Sequence, residues 1–181
     1  MMNDDIERAL YSQSDIADAC KRLGKQLTKD YEGKVPVVVS VLSGAVFFTT
    51  DVMRQMDTYT QLDFVDVSSY HGGTHSTGEV QLVTDISRDV SGRDVLIIED
   101  IVDTGRTLQF IIDLFKNRHA KSVKVCTLLD KPTGRVLEAK ADYVGFVVPD
   151  EFVVGYGLDY KGEYRNLPYV GVLKPKIYVN K

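Results

Sequence analysis

Apolar residues recur along the chain with two different periods, one typical of helices and one typical of buried strands. Between residues 16 and 27 the apolar positions are three or four apart, which predicts a helix with a single buried stripe: Ile16, Ala19, Cys20, Leu23 and Leu27. Ser14 is a candidate N-cap of this helix, and Gly33 lies just beyond its end. We therefore expect one face of this helix to pack against the core.

Four short runs are apolar almost throughout and predict strands that are buried on both faces: 35–41, 94–98, 122–129 and 143–148. The chain has 25 valines, many of them clustered, and valine favours such strands. Residues 61–70 instead alternate, with Leu62, Phe64 and Val67 as apolar positions, and predict a further strand. A polar, glycine-containing loop at 71–78 follows, and residues 80–85 are expected to form its returning strand.

Helical patterns near 47–56 and 107–117 separate these strands. The alternation predicts an α/β fold, with a central, mostly parallel sheet and helices on both faces. The last thirty residues, rich in tyrosine and glycine, are expected to cover an edge of the sheet. Since parallel sheets bind ligands at the carboxyl ends of their strands, candidate chemistry is sought in four loops: 42–45, 99–107, 130–134 and 150–165.

Composition and charge exclude several classes of protein. The 181 residues fit one domain, and the net charge of −4 without a basic stripe argues against binding that depends on nucleic-acid phosphates or anionic membranes. The two cysteines, Cys20 and Cys126, have no metal-ligand spacing and are expected to be buried. No basic, apolar leader follows Met1 and no apolar run is long enough for a membrane span, so we expect a soluble, cytoplasmic protein.

Residues 95–107 carry the most specific chemistry in the sequence. An apolar strand is followed by Glu99 and Asp100, then by Asp103 and a tight turn into a helix. The turn residues Thr104, Gly105, Arg106 and Thr107 offer amides, hydroxyls and a cation where the helix dipole favours an anion such as a phosphate monoester. Glu99 and Asp100 could hold vicinal hydroxyls or a hydrated magnesium ion (Mg2+). The alternative is that Asp103 caps the helix and the two acids form a solvated strand end.

Several motifs resemble a known family. EDIVDTGRT after VLII is similar to the phosphoribosyl pyrophosphate motif of type I phosphoribosyltransferases, and the chain has no GxxxxGK[ST] P-loop. Further matches narrow the resemblance to the hypoxanthine-guanine phosphoribosyltransferases: LSGA at 42–45, SSY and STGEV within 68–80, LLDKP at 128–132, and PDEFVVGYGLDYKGEYRNLPYVGVL at 149–173. These motifs cover nearly the whole chain from about residue 10.

The resemblance implies the type I phosphoribosyltransferase fold, as a single domain over 1–181 with a small hood from roughly 1–12 and 150–181. It also implies a purine salvage reaction, in which a phosphoribosyl group moves from phosphoribosyl pyrophosphate to a 6-oxopurine. Glu99 and Asp100 match residues at the ribose hydroxyls, residues 104–107 match the 5′-phosphate site, and Asp103 matches the general acid or base at purine N7. Small-molecule substrates and a homodimer or homotetramer are expected from the same resemblance.

The resemblance assigns the remaining site residues as well. Lys131 matches the residue that bonds the purine O6, Phe152 the stacking aromatic, and Val153 the backbone at the edge of the purine. Asp159 matches a magnesium ligand beside the base and Arg165 a cation facing pyrophosphate, while Ser43 and Gly44 match a pyrophosphate loop with a non-proline cis peptide. Ser69 and Tyr70 match the start of a lid over the reacting centre. Many members have lysine where this chain has Ser43, which lowers the local positive charge.

Each residue also has a plainer interpretation. Lys131 alone would be a surface lysine, Phe152 part of an edge strand, and Asp159 with Arg165 a salt bridge at the rim. The histidines 71, 75 and 119 have no ligand spacing. Two other functions share the 95–107 motif: a phosphoribosyl-fold regulator that binds nucleotide or RNA, and an enzyme of the same fold for adenine, uracil or orotate. Lys131, Phe152 and Asp159 favour the 6-oxopurine enzyme over both.

Overall fold

A six-stranded sheet forms the centre of the computed structural model, which describes residues 1–69 and 80–179. The strands are β1 (Ile6–Tyr11), β2 (Val37–Leu42), β3 (Gln61–Ser69), β4 (Val80–Thr84), β5 (Asp94–Val102), β6 (Ser122–Asp130), β7 (Tyr143–Val147), β8 (Val153–Val154) and β9 (Val170–Leu173). The helices are α1 (Gln13–Asp30), α2 (Val46–Met53), α3 (Arg106–Asn117) and α4 (Pro175–Tyr178). Short 3-10 helices span Met2–Asp5 and Pro132–Gly134.

The central sheet has the strand order β4-β3-β2-β5-β6-β7. All neighbouring strands are parallel except β4, which runs antiparallel to β3 at the edge. The register places Val39 beside Ile97, and Ile97 beside Val125. Consequently β2, β5 and β6 end at the same edge of the sheet. This arrangement confirms the predicted α/β fold with a mostly parallel sheet.

Two apolar cores cover the two faces of the sheet. Val38 faces α1 and α2, in a cluster with Leu23, Leu27 and Phe48. Val37 and Val39 belong to the opposite cluster, which contains Leu108, Ile111 and Phe115 from α3. Successive strand residues therefore point to alternate helical layers, and this explains why the strands are apolar at every position. The predicted stripe of α1 is buried in full.

The N-cap of α1 is Ser12, so the prediction of Ser14 was wrong. The Ser12 hydroxyl accepts a bond from the Asp15 amide at 3.2 Å, and the Asp15 carboxylate accepts one from the Ser12 amide at 2.8 Å. This reciprocal capping box needs an acid three residues after the cap, and Asp15 has that spacing only from Ser12.

The alternating pattern of β3 predicted the strand, but its apolar positions lie on both faces of the sheet: Leu62 packs against one core and Val67 against the other. Asp63 and Val65 are buried, whereas Phe64 is 39% exposed. The register pairs Phe64 with Ser40 of β2, on the face that carries α1 and α2. Because β3 lies next to the edge strand, this face is only partly covered there.

A second, three-stranded antiparallel sheet has the order β1-β9-β8. It joins the strand nearest the N-terminus to two strands from the last thirty residues, with Ile6 opposite Leu173. The Leu173 amide also donates to the Phe152 carbonyl at 2.9 Å, so this sheet holds the backbone of a predicted site residue. Among the helices in ranges 1–69 and 80–179, none has the length and apolar character that crossing a bilayer requires.

Candidate active site

Glu99 and Asp100 lie inside β5, and this corrects the prediction that the strand ends before them. Strand pairing continues to Val102, opposite Asp130 of β6. Glu99 is only 6% exposed, so the solvated strand end is excluded for this residue. Burial, with the neighbouring Asp100 charge, raises the pKa of Glu99 well above its usual range. Burial also raises the pKa of Asp100, although its own hydrogen bonds and the Arg165 charge act in the opposite direction.

The turn at residues 104–107, called the nest below, lies at the start of α3, where backbone amides and the helix dipole favour an anion. Gly105 has φ +83°, a left-handed conformation that few other residues adopt without strain, and α3 begins at Arg106. The Arg106 amide donates to the Thr104 hydroxyl at 3.4 Å. A cavity of about 260 Å³ opens over this turn and is lined by residues 99–105 together with Thr107 and Leu108. The predicted phosphate-binding residues 104–107 thus come together at a helix N-terminus.

Asp103 lines both this cavity and a second one of about 250 Å³, as do Asp100 and Ile101. The second cavity, called the base cavity below, is also lined by Lys131 and Phe152, so the predicted proton-transfer residue borders both the predicted phosphate site and the predicted base site. The carboxylate of Asp103 rests against Gly134, where a methyl side chain would overlap its Oδ1 atom. Asp103 is therefore held by the loop after β6 and does not act as a simple helix cap.

Lys131 is directed into the base cavity and is largely buried. Its side chain is 15% exposed, its Nζ atom lies 3.0 Å from Asp150 Oδ1, and it donates to the Glu151 carbonyl at 3.4 Å. Asp150 is 74% exposed, so this ion pair is weak and a ligand oxygen could replace it. The structure thus excludes the interpretation of Lys131 as a free surface lysine.

Phe152 and Val153 line the other side of the base cavity. Phe152 is 38% exposed, and its ring contacts two tyrosines outside the cavity lining. Tyr160 meets it edge-on at 5.6 Å, and Tyr178 of α4 stacks on it at 4.8 Å between centroids. Val153 is buried in β8. An accessible ring supported from behind suits the binding of a flat heterocycle.

The loop 42–45 reaches the same rim. Its Leu42–Ser43 peptide is cis, as the resemblance implied. Gly44 packs so closely on Asp100 that a side chain there would overlap the carboxylate, and Gly157 packs equally closely on the Gly44 carbonyl. Gly44 thus packs between Asp100 of β5 and Gly157 of the segment before Arg165.

Asp159 and Arg165 form an ion pair with each other. Arg165 Nη2 lies 2.8 Å from Asp159 Oδ1, and Arg165 Nη1 donates to the Gly157 carbonyl at 2.5 Å. The Gly162 amide donates to the other carboxylate oxygen of Asp159 at 2.7 Å. Both side chains are about one-third exposed, and Asp159 lines the base cavity whereas Arg165 does not. The contact is the rim salt bridge of the plainer interpretation, and ligand binding by either group would have to replace it.

A preformed protein-only metal site is absent from the described residues 1–69 and 80–179, where no three His, Cys, Asp or Glu side chains are grouped to hold an ion. The donor set nevertheless fits magnesium, because Glu99, Asp100 and Asp159 supply carboxylate oxygens at one rim. Magnesium commonly keeps several waters and binds through one or two carboxylates plus substrate oxygens. Burial disfavours the ionised forms of Glu99 and Asp100, as their raised pKa values show, and a bound cation would favour those forms.

The predicted lid starts at Ser69, the last residue of β3, whereas Tyr70 lies outside the described residues. A larger cavity of about 420 Å³ lies between α1, α2 and residues 165–168. Of the predicted site residues only Arg165 lines it, so chemistry, and not size, identifies the candidate active site.

Gly134 and Asp150 lie in two of the four candidate loops, but no pattern in the sequence singled out four supporting residues at the site: Gly134, Arg135, Asp150 and Tyr178. Gly134 and Arg135 follow the LLDKP motif in a loop without periodicity, and Tyr178 is one of ten tyrosines. Each contacts a predicted site residue or its backbone through tertiary packing. A spacing pattern could not have found them.

Comparison with known proteins agrees with this geometry. Residues 8–161 match the family model described as "Phosphoribosyl transferase domain". A hypoxanthine-guanine phosphoribosyltransferase from Streptococcus pneumoniae is 54% identical over 99% of this chain and 100% of its own length. The chain belongs to the hypoxanthine-guanine phosphoribosyltransferase family. The crystal structure of a hypoxanthine phosphoribosyltransferase from Staphylococcus aureus superposes with a TM-score of 0.94 at 52% identity, covering 98% of this chain and 96% of that one.

Another member of the hypoxanthine-guanine phosphoribosyltransferase family is part of a larger protein. The bifunctional protein TilS/HprT of Listeria monocytogenes is 58% identical over 98% of this chain. The chain spans 27% of the length of that relative. The similarity therefore concerns the phosphoribosyltransferase portion.

Proposed function

We propose that the protein transfers the 5-phosphoribosyl group of phosphoribosyl pyrophosphate to N9 of hypoxanthine, and of guanine, giving IMP or GMP and pyrophosphate. One observation carries the proposal: Asp103 lines both the cavity over the nest at 104–107 and the cavity that contains a largely buried lysine and an aromatic ring. An enzyme that joins a phosphorylated sugar to a 6-oxopurine needs this order of groups. The family relationship supports the same reaction.

In this proposal the nest at 104–107 binds the 5′-phosphate through amides, hydroxyls and the helix dipole. Glu99 and Asp100 bind the ribose hydroxyls, which can donate to carboxylate oxygens. Ser43, Gly44 and Arg165 bind the pyrophosphate, and the close contact of Gly44 with Asp100 brings this group of residues next to the ribose. The sugar is thereby held with its C1 atom facing the base cavity, and this positioning lowers the barrier.

Lys131 selects the base by donating to the purine O6 in place of its contact with Asp150. Phe152 stacks on the purine, and the backbone of Val153 bonds its edge. As N9 attacks C1, the C1–oxygen bond to pyrophosphate breaks and Asp103 accepts the proton from N7. In the reverse direction Asp103 returns that proton. An amino group at position 6 offers no acceptor to Lys131, so adenine is a poor substrate.

Asp159 would hold magnesium at the mouth of the base cavity, with Glu99 and Asp100 reaching it directly or through the ribose hydroxyls. When bound, magnesium neutralises the charge that develops on departing pyrophosphate. Arg165 adds a fixed positive charge at the same position. Breaking the ion pair between them would free Asp159 to bind the ion and Arg165 to bind the pyrophosphate.

We also propose that residues 1–181 act as a single phosphoribosyltransferase domain, with a hood from about 1–12 and 150–181. A lid that begins at Ser69 and Tyr70 would exclude water from the reacting centre. A homodimer or homotetramer and a cytoplasmic location are part of the same proposal.

The test is a spectrophotometric assay with phosphoribosyl pyrophosphate, magnesium and five nucleobases in parallel: hypoxanthine, guanine, xanthine, adenine and uracil. We expect turnover with hypoxanthine and guanine and little with adenine or uracil. Turnover with adenine or uracil alone would indicate a different member of the fold. Tight nucleotide binding without turnover of any base would favour a regulator.

A further inference from the structure

The loop after β6 holds the backbone behind the phosphate nest. The Lys131 amide donates to the Val102 carbonyl at 2.9 Å. The amides of Val136 and Leu137 both donate to the Thr104 carbonyl, at 2.9 and 3.1 Å. Residues 131–137 therefore bind the carbonyl groups on both sides of Asp103.

Arg135 completes this set of contacts with its side chain. Its Nε atom donates to the Asp103 carbonyl at 3.0 Å, and Nη2 donates to the Val102 carbonyl at 3.3 Å. Nη1 donates to the Ala139 carbonyl at 2.7 Å, and Nη2 also forms an ion pair with Asp130. The Arg135 side chain is 17% exposed. Three consecutive carbonyls, 102, 103 and 104, are thus all held by one loop.

These contacts determine the direction of the Asp103 amide and of two nest amides, those of Thr104 and Gly105. In a planar trans peptide the carbonyl and the following amide point in opposite directions. Because the carbonyls of residues 102–104 face the 131–137 loop, the amides of residues 103–105 face away from it, toward the anion cavity. Amides already directed at an anion need no reorganisation when it binds or when charge develops. The same contact fixes the main chain that carries the Asp103 carboxylate.

We propose that Arg135 is a positioning residue for phosphoribosyl transfer, acting through the backbone of the nest and of Asp103 without touching substrate. The inference rests on the proposed function only in naming the reaction. Lysine at this position would keep the charge beside Asp130, but it lacks the rigid fork that reaches several carbonyls at once. Arg135→Lys therefore separates the geometric role from the charge.

The experiment compares Arg135→Lys and Arg135→Ala with Arg118→Ala as matched control. Arg118 also forms a bidentate ion pair, in which it donates to the two carboxylate oxygens of Asp85 at 2.8 and 2.7 Å. It lies at the C-terminal end of α3, whereas the nest lies at the N-terminal end of that helix. We expect both Arg135 variants to raise the KM for phosphoribosyl pyrophosphate about tenfold and to lower kcat, while the KM for hypoxanthine changes less than about threefold. Millimolar guanidinium should partly restore Arg135→Ala, and equal ionic strength of sodium chloride should not.

Calorimetric binding of ribose 5-phosphate gives a readout that does not depend on turnover. We expect its Kd to rise about tenfold in both Arg135 variants and to be unchanged in Arg118→Ala. If the wild-type chain turned over no base, the proposed function would fail, and this Kd would still decide the role of Arg135. Kinetics and Kd within twofold of the control would overturn the inference. So would equal rises in both KM values, or loss of the fold in both variants, which would assign Arg135 a purely structural role.

Discussion

The ring of Tyr178 stacks on the ring of Phe152, with the centroids 4.8 Å apart and the planes inclined by 22°. One face of Phe152 is thus occupied by the C-terminal helix α4, while Phe152 lines the base cavity without Tyr178. A purine in that cavity would stack on the opposite face. Tyr178 therefore supports from behind the Phe152 ring that we propose binds the base.

Removal of this support should weaken purine binding. We expect Tyr178→Ala to raise the KM for hypoxanthine about three- to tenfold, because an aromatic pair contributes about 0.5–1.5 kcal/mol and Phe152 loses its fixed orientation. The KM for phosphoribosyl pyrophosphate should stay within twofold. Tyr178→Phe retains the ring and serves as the control. Equal KM values for hypoxanthine in the alanine and phenylalanine variants would contradict the stacking role.

Replacement of the Asp103 carboxylate, which lines both cavities, tests proton transfer. Asp103→Asn retains the shape of the side chain but cannot accept the N7 proton, so we expect kcat to fall about 10²- to 10⁴-fold. The Kd for phosphoribosyl pyrophosphate should change little, since the backbone nest is intact. Single-turnover kinetics and calorimetry measure the two effects separately. Near-normal turnover would remove Asp103 from this role.

Gly134→Ala provides an independent test of the same carboxylate. A methyl group at residue 134 overlaps Asp103 Oδ1, so the carboxylate must move and kcat should fall about tenfold or more. In an Asp103→Ala background the overlap disappears, and Gly134→Ala should then cost little further activity. A double-mutant cycle measures this coupling. Additive losses would mean that Gly134 acts elsewhere.

Lys131 should determine recognition of the base. We expect Lys131→Ala to reduce kcat/KM for hypoxanthine about a hundredfold, since a charged donor to O6 is lost from a largely buried position. Binding of ribose 5-phosphate should be much less affected. Asp150→Asn, which removes only the weak ion pair of Lys131, is the matched control and should retain most of the activity. Similar losses in kcat/KM for hypoxanthine and in ribose 5-phosphate binding would show that Lys131 does not contact the base.

Asp63 of β3, which does not line the candidate site, links the stability of the fold to pH. Burial alone would raise the pKa of Asp63, but bonds from the amides of Phe64, Ser87 and Arg88 and from the Ser87 hydroxyl hold the pKa below its ordinary value. A lowered carboxyl pKa contributes stability that is present above about pH 4 and is lost as the pH falls through the folded-state value.

We therefore expect Asp63→Asn to lower the free energy of unfolding by about 1–3 kcal/mol at pH 6, because one oxygen that accepts three bonds becomes a donor. The difference from wild type should shrink toward pH 3.5. Urea denaturation at both pH values measures it, with the exposed Glu32→Gln as control. A difference that is independent of pH would argue against ionised Asp63 as its source.

The sequence predicted the central sheet, the helices α1 to α3 and a group of candidate residues at one rim, because those features have local causes, but it did not predict β1, β8, β9 or α4. The stripe from Ile16 to Leu27 follows helical spacing, and residues 99–107 are contiguous between a buried strand and a helix. The errors of the prediction from sequence also have a physical cause. The pattern placed the end of β5 before Glu99, since charged residues usually leave a strand, whereas pairing with β6 keeps Glu99 buried.

The supporting residues depend on packing between segments distant in the chain. Arg135 reaches back to carbonyls more than thirty positions earlier, and Tyr178 reaches Phe152 from beyond β9. Neither contact leaves a period or a motif in the sequence. Similarly, Ser12 and Ser14 are equally good caps in isolation, and only the position of Asp15 distinguishes them.

The pairing of β1 with β9 has a consequence for biosynthesis. Residues 6–11 leave the ribosome long before their partners at 170–173 are translated. The nest between β5 and β6 draws on neighbouring stretches of the nascent polypeptide and can assemble during elongation. The base cavity includes Phe152 and Val153, which are bonded to or paired with β9, so it is completed only after translation has passed Leu173.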